Sequence, residues 1–239
     1  FPSLIQSIYV FDEIHAFSDR LFGYLIKFLG TFTHAPVLLM TATLPQNRKA
    51  ALEALCQQTG GLNVIRGPLE RESAKRYLVR QESHSTAWAE AKQCLKSGGK
   101  VLWVANTVNS AMSVVAEGKQ ESLPVEPYHS RYRYKDRLVR HRVVIDGFKP
   151  EKPSMLAVTT QVAEMSLDLS ADLLVSEIAP IPSMIQRLGR LNRFEEVPAE
   201  IKHAIFIKPR DYLPYSKDQM GNAEAWIDLM ADNVPKSQT

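Results

Sequence analysis

The chain has 239 residues, 45% of them apolar, which suits one or two packed domains and excludes the disordered class. Lys and Arg number 29 against 26 Asp and Glu, a net charge of +3, so the chain is neither an acidic tail protein nor a histone-like polycation; any nucleic-acid contact must come from local clustering of charge. Two cysteines, Cys56 and Cys94, exclude a disulfide scaffold and a thiolate zinc site, and agree with a reducing, cytoplasmic setting.

In chain order, a β-branched and aromatic run at 8–11 predicts a strand that stops at Asp12-Glu13, followed by a helix near 21–32. A second apolar run at 37–40 stops at Thr41-Ala42-Thr43, with a helix near 47–58 and a weaker strand at 62–65. Residues 66–73 are charged, broken by Gly and Pro and without apolar period, which predicts a linker. Beyond it, helices are expected at 86–96, 108–119, 134–145, 183–192 and 221–232. Strands are expected at 101–104 (ending at Asn106-Thr107), 155–158 (ending at Thr159-Thr160-Gln161), 173–176 and 204–207. The runs are continuous rather than alternating, so each strand should be buried on both faces in a parallel sheet. The predicted class is α/β: half a sheet in 1–66, a linker at 67–75 and a complete doubly wound domain in 76–239.

In such a sheet the carboxyl ends of the strands form the binding edge. Two adjacent carboxylates there, Asp12 and Glu13, suit a Mg²⁺ ion on nucleotide phosphates, the Asp holding metal and the Glu orienting water; an ordinary charged strand end is the plainer reading. The Thr41–Thr43 segment could bond neighbouring loops, or simply cap the next helix before Pro45. The spacing of Arg187, Arg190 and Arg193 places three guanidiniums along one side of the 183–192 helix, suited to a phosphoryl group or to solvent. From Arg131 to Arg142 there are six Lys or Arg against one Asp, a local charge of +5 with interleaved tyrosines, matching either a phosphate-backbone footprint or a solvated helix. The loop from Thr159 to Asp168 could bind phosphate through Thr and backbone N–H groups, or be a capped turn.

Taken jointly, Asp12-Glu-Ile-His, Thr41-Ala-Thr, the Thr160-to-Asp168 loop and Gln186-Arg-Leu-Gly-Arg-Leu-Asn-Arg193 resemble motifs II, III, V and VI of DEAH-type superfamily 2 helicases. The stretch 161–193, with His129-Ser130-Arg131-Tyr132, most resembles the helicase part of the CRISPR-associated helicase–nuclease of type I systems. The resemblance implies two RecA-like lobes, the first incomplete and the second complete. It also implies ATP-driven movement along single-stranded DNA, following recognition by an RNA-guided surveillance complex. By motif matching, Asp12 would hold Mg²⁺, Glu13 would activate water, and His15 would sit beside the nucleotide. Thr41 and Thr43 would couple hydrolysis to movement. Gln186, Arg190 and Arg193 would reach the γ-phosphate, and Asp168 would lie near nucleotide. Thr107, His129, Ser130, Arg131 and Thr160 would touch the strand. An RNA helicase of the same superfamily and a non-catalytic binding fragment remain as rivals.

No Gly-x-x-x-x-Gly-Lys-[Ser/Thr] loop is present: at Gly98-Gly99-Lys100 the next residue is Val101. The family's adjacent His-Asp pair is also missing. With Phe1 first and Met40 the first methionine, the chain is expected to be a piece of a longer helicase–nuclease, inactive on ATP by itself. It shows no apolar run long enough for a bilayer and no signal-peptide pattern, so no membrane partner is expected.

Overall fold

A computed structural model of the chain describes residues 7–41, 44–59, 61–65, 67, 73–165, 167–194, 200–231 and 234–237. The chain divides into two compact units, Phe1–Arg66 and Gly67–Thr239. Most of the predicted linker, residues 66 and 68–72, lies outside the described residues.

In the first unit, strands β1 (Tyr9–Phe11) and β2 (Val37–Leu39) pair in parallel, with Tyr9 opposite Val37 and Phe11 opposite Leu39. Helix α1 (Asp19–Thr31) connects them. It starts where Ser18 Oγ accepts the Leu21 N–H, with Asp19 placed favourably in the first turn. Phe22 and Leu25, one turn apart, face inward and meet Ile14 and Leu52, the latter on helix α2 (Gln46–Thr59). Contrary to the expectation of strands covered on both faces, Val10 is 55% and Leu38 47% exposed, because among the described residues the helices pack on one side only of this two-stranded sheet. The strand expected at 62–65 is also absent: Val64 and Ile65 are exposed and have no neighbouring strand to pair with among the described residues.

The second unit is built on a six-stranded, all-parallel sheet of order β3-β8-β7-β4-β6-β5. Its strands are β3 (Tyr77–Glu82), β4 (Lys100–Val104), β5 (Val125–Tyr128), β6 (Met155–Thr159), β7 (Leu173–Glu177) and β8 (Lys202–Ile207). Here the expectation of two-faced burial holds, since every residue of β4 and β7 is buried. Alternation along β4 sends Val101 and Trp103 to one side, against Ala87, Trp88 and Ala91 of α3 (His84–Lys96) and Val114 and Val115 of α4 (Val108–Gln120). Leu102 and Val104 go to the other side, where Val144 of α5 (Tyr134–Gly147) and Met184 and Leu188 of α7 (Ile181–Leu188) close the core. Between them, α6 (Val162–Met165) is a single turn after β6.

Two elements depart from expectation. The helix predicted at 183–192 runs instead over Ile181–Leu188. Past Gly189 the backbone leaves the helical path: Leu191 forms an isolated parallel bridge with Ala171, and Asn192 takes a left-handed φ of 53°. The helix predicted at 221–232 is the shorter α9 (Ala223–Met230), preceded across Gly221 by a single unpredicted turn, α8 (Lys217–Met220). No helix among the described residues is long and apolar enough to cross a membrane.

Candidate nucleotide and nucleic-acid site

In the first unit the chemistry sits in the turn after β1. Asp12 is exposed, and one of its oxygens accepts the Glu13 N–H at 2.8 Å. Glu13 itself is in the left-handed region, φ 52° and ψ 42°, an uncommon state for a residue with a Cβ. Residues Ile14–Ala16 then form one short 3₁₀ turn. Ile14, buried, donates its N–H to Met40 O, and Met40 N–H goes to Phe11 O, so the ends of β1 and β2 are stitched together. His15 Nδ1 lies 3.2 Å from Glu13 Oε2 and 3.2 Å from Thr41 Oγ1. Three of the residues singled out in the sequence, Glu13, His15 and Thr41, therefore share one polar cluster. Thr43 lies outside the described residues.

Among the described residues no three His, Cys, Asp or Glu side chains form a metal cage. Exposed Asp12 beside half-buried Glu13 fits Mg²⁺, which commonly takes one or two carboxylates and draws its other ligands from water and phosphates.

In the second unit the strand-contacting candidates gather at the carboxyl ends of three neighbouring strands, β4, β6 and β5. Thr107 caps α4, its Oγ1 accepting the Ser110 N–H at 3.1 Å. Thr160, after β6, is buried. After β5, Ser130 and Arg131 are exposed, and Arg131 donates to Asn109 Oδ1 at 3.2 Å. His129 is buried and stacked on Tyr132 with centroids 4.2 Å apart, and its Nδ1 has no hydrogen-bond partner. Burial, followed by the nearby Arg131 and Arg140, holds the His129 ring below its ordinary pKa and so neutral at pH 7. The basic segment 131–142 is not all available to a ligand. Arg140 pairs with Glu126 and lies over Tyr132, leaving Arg133, Lys135 and Arg142 exposed.

The arginines do not share one helix face. Because α7 stops at Leu188, only Arg187 is helical, and it points inward. Arg187 is 0% exposed; it pairs with Glu164 at 2.9 Å and also donates to Asn106 Oδ1, Ser176 Oγ, Glu177 O and the Tyr215 hydroxyl. Arg190 is buried too, donating to the carbonyls of Ala163 and Glu164. Arg193 is partly exposed and paired with exposed Asp168 at 2.9 Å. Gln186 is half-buried on α7. The segment after β6 is thus bound to α7 and the turn that follows it, through Glu164 with Arg187 on the helix, and the 163–164 carbonyls with Arg190 and Asp168 with Arg193 beyond it.

Sequence reading missed the polar centre of this arrangement. Asn106, at the end of β4, gives its N–H to Glu177 Oε2 at 2.6 Å and its amide to Ile178 O, while Gln161 donates to Asn106 O. Burial raises the Glu177 pKa, opposed by the Asn106 N–H, the Ser110 hydroxyl and Arg187. The available signal was positional: Asn106 comes just after the apolar run 101–105 and Glu177 closes β7 after the run 173–175, where a buried polar residue must either find partners or face a ligand.

The family described as "CRISPR-associated nuclease/helicase Cas3, C-terminal" matches residues 97–196. A putative CRISPR-associated nuclease/helicase Cas3 from Myxococcus xanthus is 44% identical over 99% of this chain and 32% of its own length. The chain belongs to the Cas3 family. It spans about a third of the length of the curated Cas3 relatives it matches. The crystal structure of T. fusca Cas3 with ADP overlays on 98% of this chain and 34% of that one, with TM-score 0.79 at 21% identity, and so shares its RecA-like α/β fold. A chain of the CRISPR RNA-guided surveillance complex, pre-nicking, overlays on 95% of this chain and 35% of that one, with TM-score 0.72 at 21% identity. The helicase resemblance seen in the motifs is thereby a Cas3 relationship across the whole chain, including residues 208–239, where no motif pointed to it.

Proposed function

We propose that this Cas3-family chain is part of an ATP-driven motor that moves along single-stranded DNA in type I CRISPR interference, working with an RNA-guided surveillance complex. One observation carries the reading: in a chain 44% identical to a Cas3 relative, the acid pair and the motif residues that follow the strands fall at strand carboxyl ends. That is where an open parallel sheet binds ligand.

In this reading Asp12 holds a Mg²⁺ that neutralises phosphate charge, and Glu13 orients the attacking water and takes its proton. His15 joins Glu13 to Thr41, so a change at the acid is felt at the end of β2. By the motif resemblance Gln186 and Arg193 are assigned to nucleotide phosphate, with Asp168 setting the Arg193 guanidinium through their ion pair, while Arg190, held on the Ala163 and Glu164 carbonyls, braces the loop before Asp168. Thr107, His129, Ser130, Arg131 and Thr160 meet the strand. The neutral His129 ring suits stacking or acceptance of a hydrogen bond rather than phosphate pairing, leaving charge neutralisation to Arg131. The phosphate loop has no counterpart in this sequence, so turnover is assigned to a chain extended to the length of the Cas3 relatives.

The test is Glu13→Gln in such an extended chain, with ATP binding, ATP turnover and strand unwinding measured. Retained ATP binding with DNA-stimulated turnover lost is the expected result; full turnover in the variant overturns the reading. Competition between matched DNA and RNA strands decides between the DNA motor and an RNA helicase.

A further inference from the structure

The first turn of α2 carries an arginine that no motif includes. Arg48 follows the Thr41–Pro45 segment and reaches back to the turn that bears the acid pair. One of its guanidinium nitrogens lies 3.4 Å from His15 O and 3.5 Å from Ile14 O, and the other donates to Asp19 Oδ1 at 2.8 Å. Its Cζ sits 4.9 Å from the Phe22 ring centroid, and the side chain is only 14% exposed.

The turn has reason to need such a clamp. At the end of this three-residue 3₁₀ turn Ile14 O takes a single long bond from the Phe17 N–H at 3.3 Å, and the partial negative charge of the Ile14 and His15 carbonyls attracts a cation. Immediately before it, Glu13 holds a left-handed backbone conformation that persists only where the surroundings over-determine it. Arg48 meets the carbonyls on the far side of that step, while the Ile14 N–H bond to Met40 O fixes it from the strand side.

We propose that Arg48 is a positioning residue for Glu13: through the Ile14 and His15 carbonyls it locks the left-handed step that aims the carboxylate, and ties it to the helix following Thr41. It rests on the function proposed above. Arginine suits the role because its planar fork serves two carbonyls and a carboxylate at once while its face packs on Phe22; an ammonium has the charge but not the fork.

The experiment compares Arg48→Ala, Arg48→Lys and Glu13→Gln in the extended chain, measuring kcat and KM for ATP with saturating single-stranded DNA, together with the thermal midpoint. Expected are a kcat about tenfold lower in Arg48→Ala at nearly unchanged KM, partial recovery in Arg48→Lys, and a thermal midpoint close to the parent's. Arg48→Ala with parental kcat, beside an inactive Glu13→Gln, overturns the positioning role and leaves the function standing. A loss in Arg48→Ala that only follows a lowered thermal midpoint, or a raised KM at constant kcat, also overturns it. An active Glu13→Gln overturns the function itself and the inference with it.

Discussion

At the scale of single residues, the second unit is most informative where charge is buried. Arg187 and Glu177 sit within one network yet are placed in opposite electrostatic positions. The Arg187 guanidinium has acceptors from Glu164, Asn106, Ser176, Glu177 and Tyr215, so its charge is well met. The Glu177 carboxylate has its firmest partner in the Asn106 N–H, and burial outweighs what that bond and Arg187 return. The folded chain therefore holds the Glu177 proton more tightly than the unfolded chain does. Stability from this carboxyl is full below the ordinary carboxylate pKa and falls as pH rises through its raised folded value. Glutamine keeps an oxygen for the Asn106 N–H and carries no charge. Glu177→Gln is accordingly expected to match the parent near about pH 4 and to be the more stable of the two near about pH 7.5, as read by urea midpoints at both values. A variant weaker than the parent at the higher pH would mean that the Glu177–Arg187 attraction outweighs desolvation.

At the scale of elements, the junction of α3 with β4 shows how backbone packing fixes where a strand begins. Gly98 has φ 86°, and Gly99 returns its N–H to Cys94 O at 2.9 Å. A Cβ on Gly99 would lie 2.5 Å from Cys94 Sγ and 2.9 Å from Cys94 O. The sulfur can rotate but the carbonyl belongs to the last turn of α3, so Gly99→Ala is expected to cost about 1–3 kcal/mol in denaturant unfolding. At Gly147 the clash falls on the flexible end of Met155, so the alanine variant there should be the milder of the two in the same assay. Elements also show what the sequence could and could not reveal. The central strands β4, β6 and β7 were legible because both faces are covered, so each carries an unbroken apolar run, at 101–104, 155–158 and 173–175. The two edge strands were not: β3 carries Arg80, Gln81 and Glu82, and β5 carries Glu126 and Pro127, which an edge strand tolerates and a pattern search rejects. The motif turns were legible as positions, yet the direction of Arg187 and Arg190 was not. Spacing along a helix assumes that the helix continues, and here Leu191 leaves it to pair with Ala171.

At the scale of the whole chain, the two units are unequally supported by their own interiors. The first has a two-stranded sheet and a core whose buried apolar members among the described residues are Ile14, Phe22, Leu25 and Leu52. Two strands are marginal without further layers, and one face of this pair, with Val10 and Leu38, is open. The second unit packs helices on both sides of six strands, and its residues Val101, Leu102, Val104, Leu156, Ala157 and Val175 are 0% exposed. Local opening follows the density of such burial, so amide exchange should separate the units. In native-state hydrogen exchange, amides of β4, β6 and β7 are expected to open only with global unfolding, whereas those of β1, β2 and the Ile14–Ala16 turn exchange through much cheaper local openings. The difference bears on chemistry, because Asp12, Glu13, His15 and Thr41 all sit in the less protected unit. Their geometry then depends on specific bonds such as those from Arg48 and the Ile14 N–H more than on a deep core. Equal protection of β1 and β7 would show that the first unit draws stability from something other than its own packing.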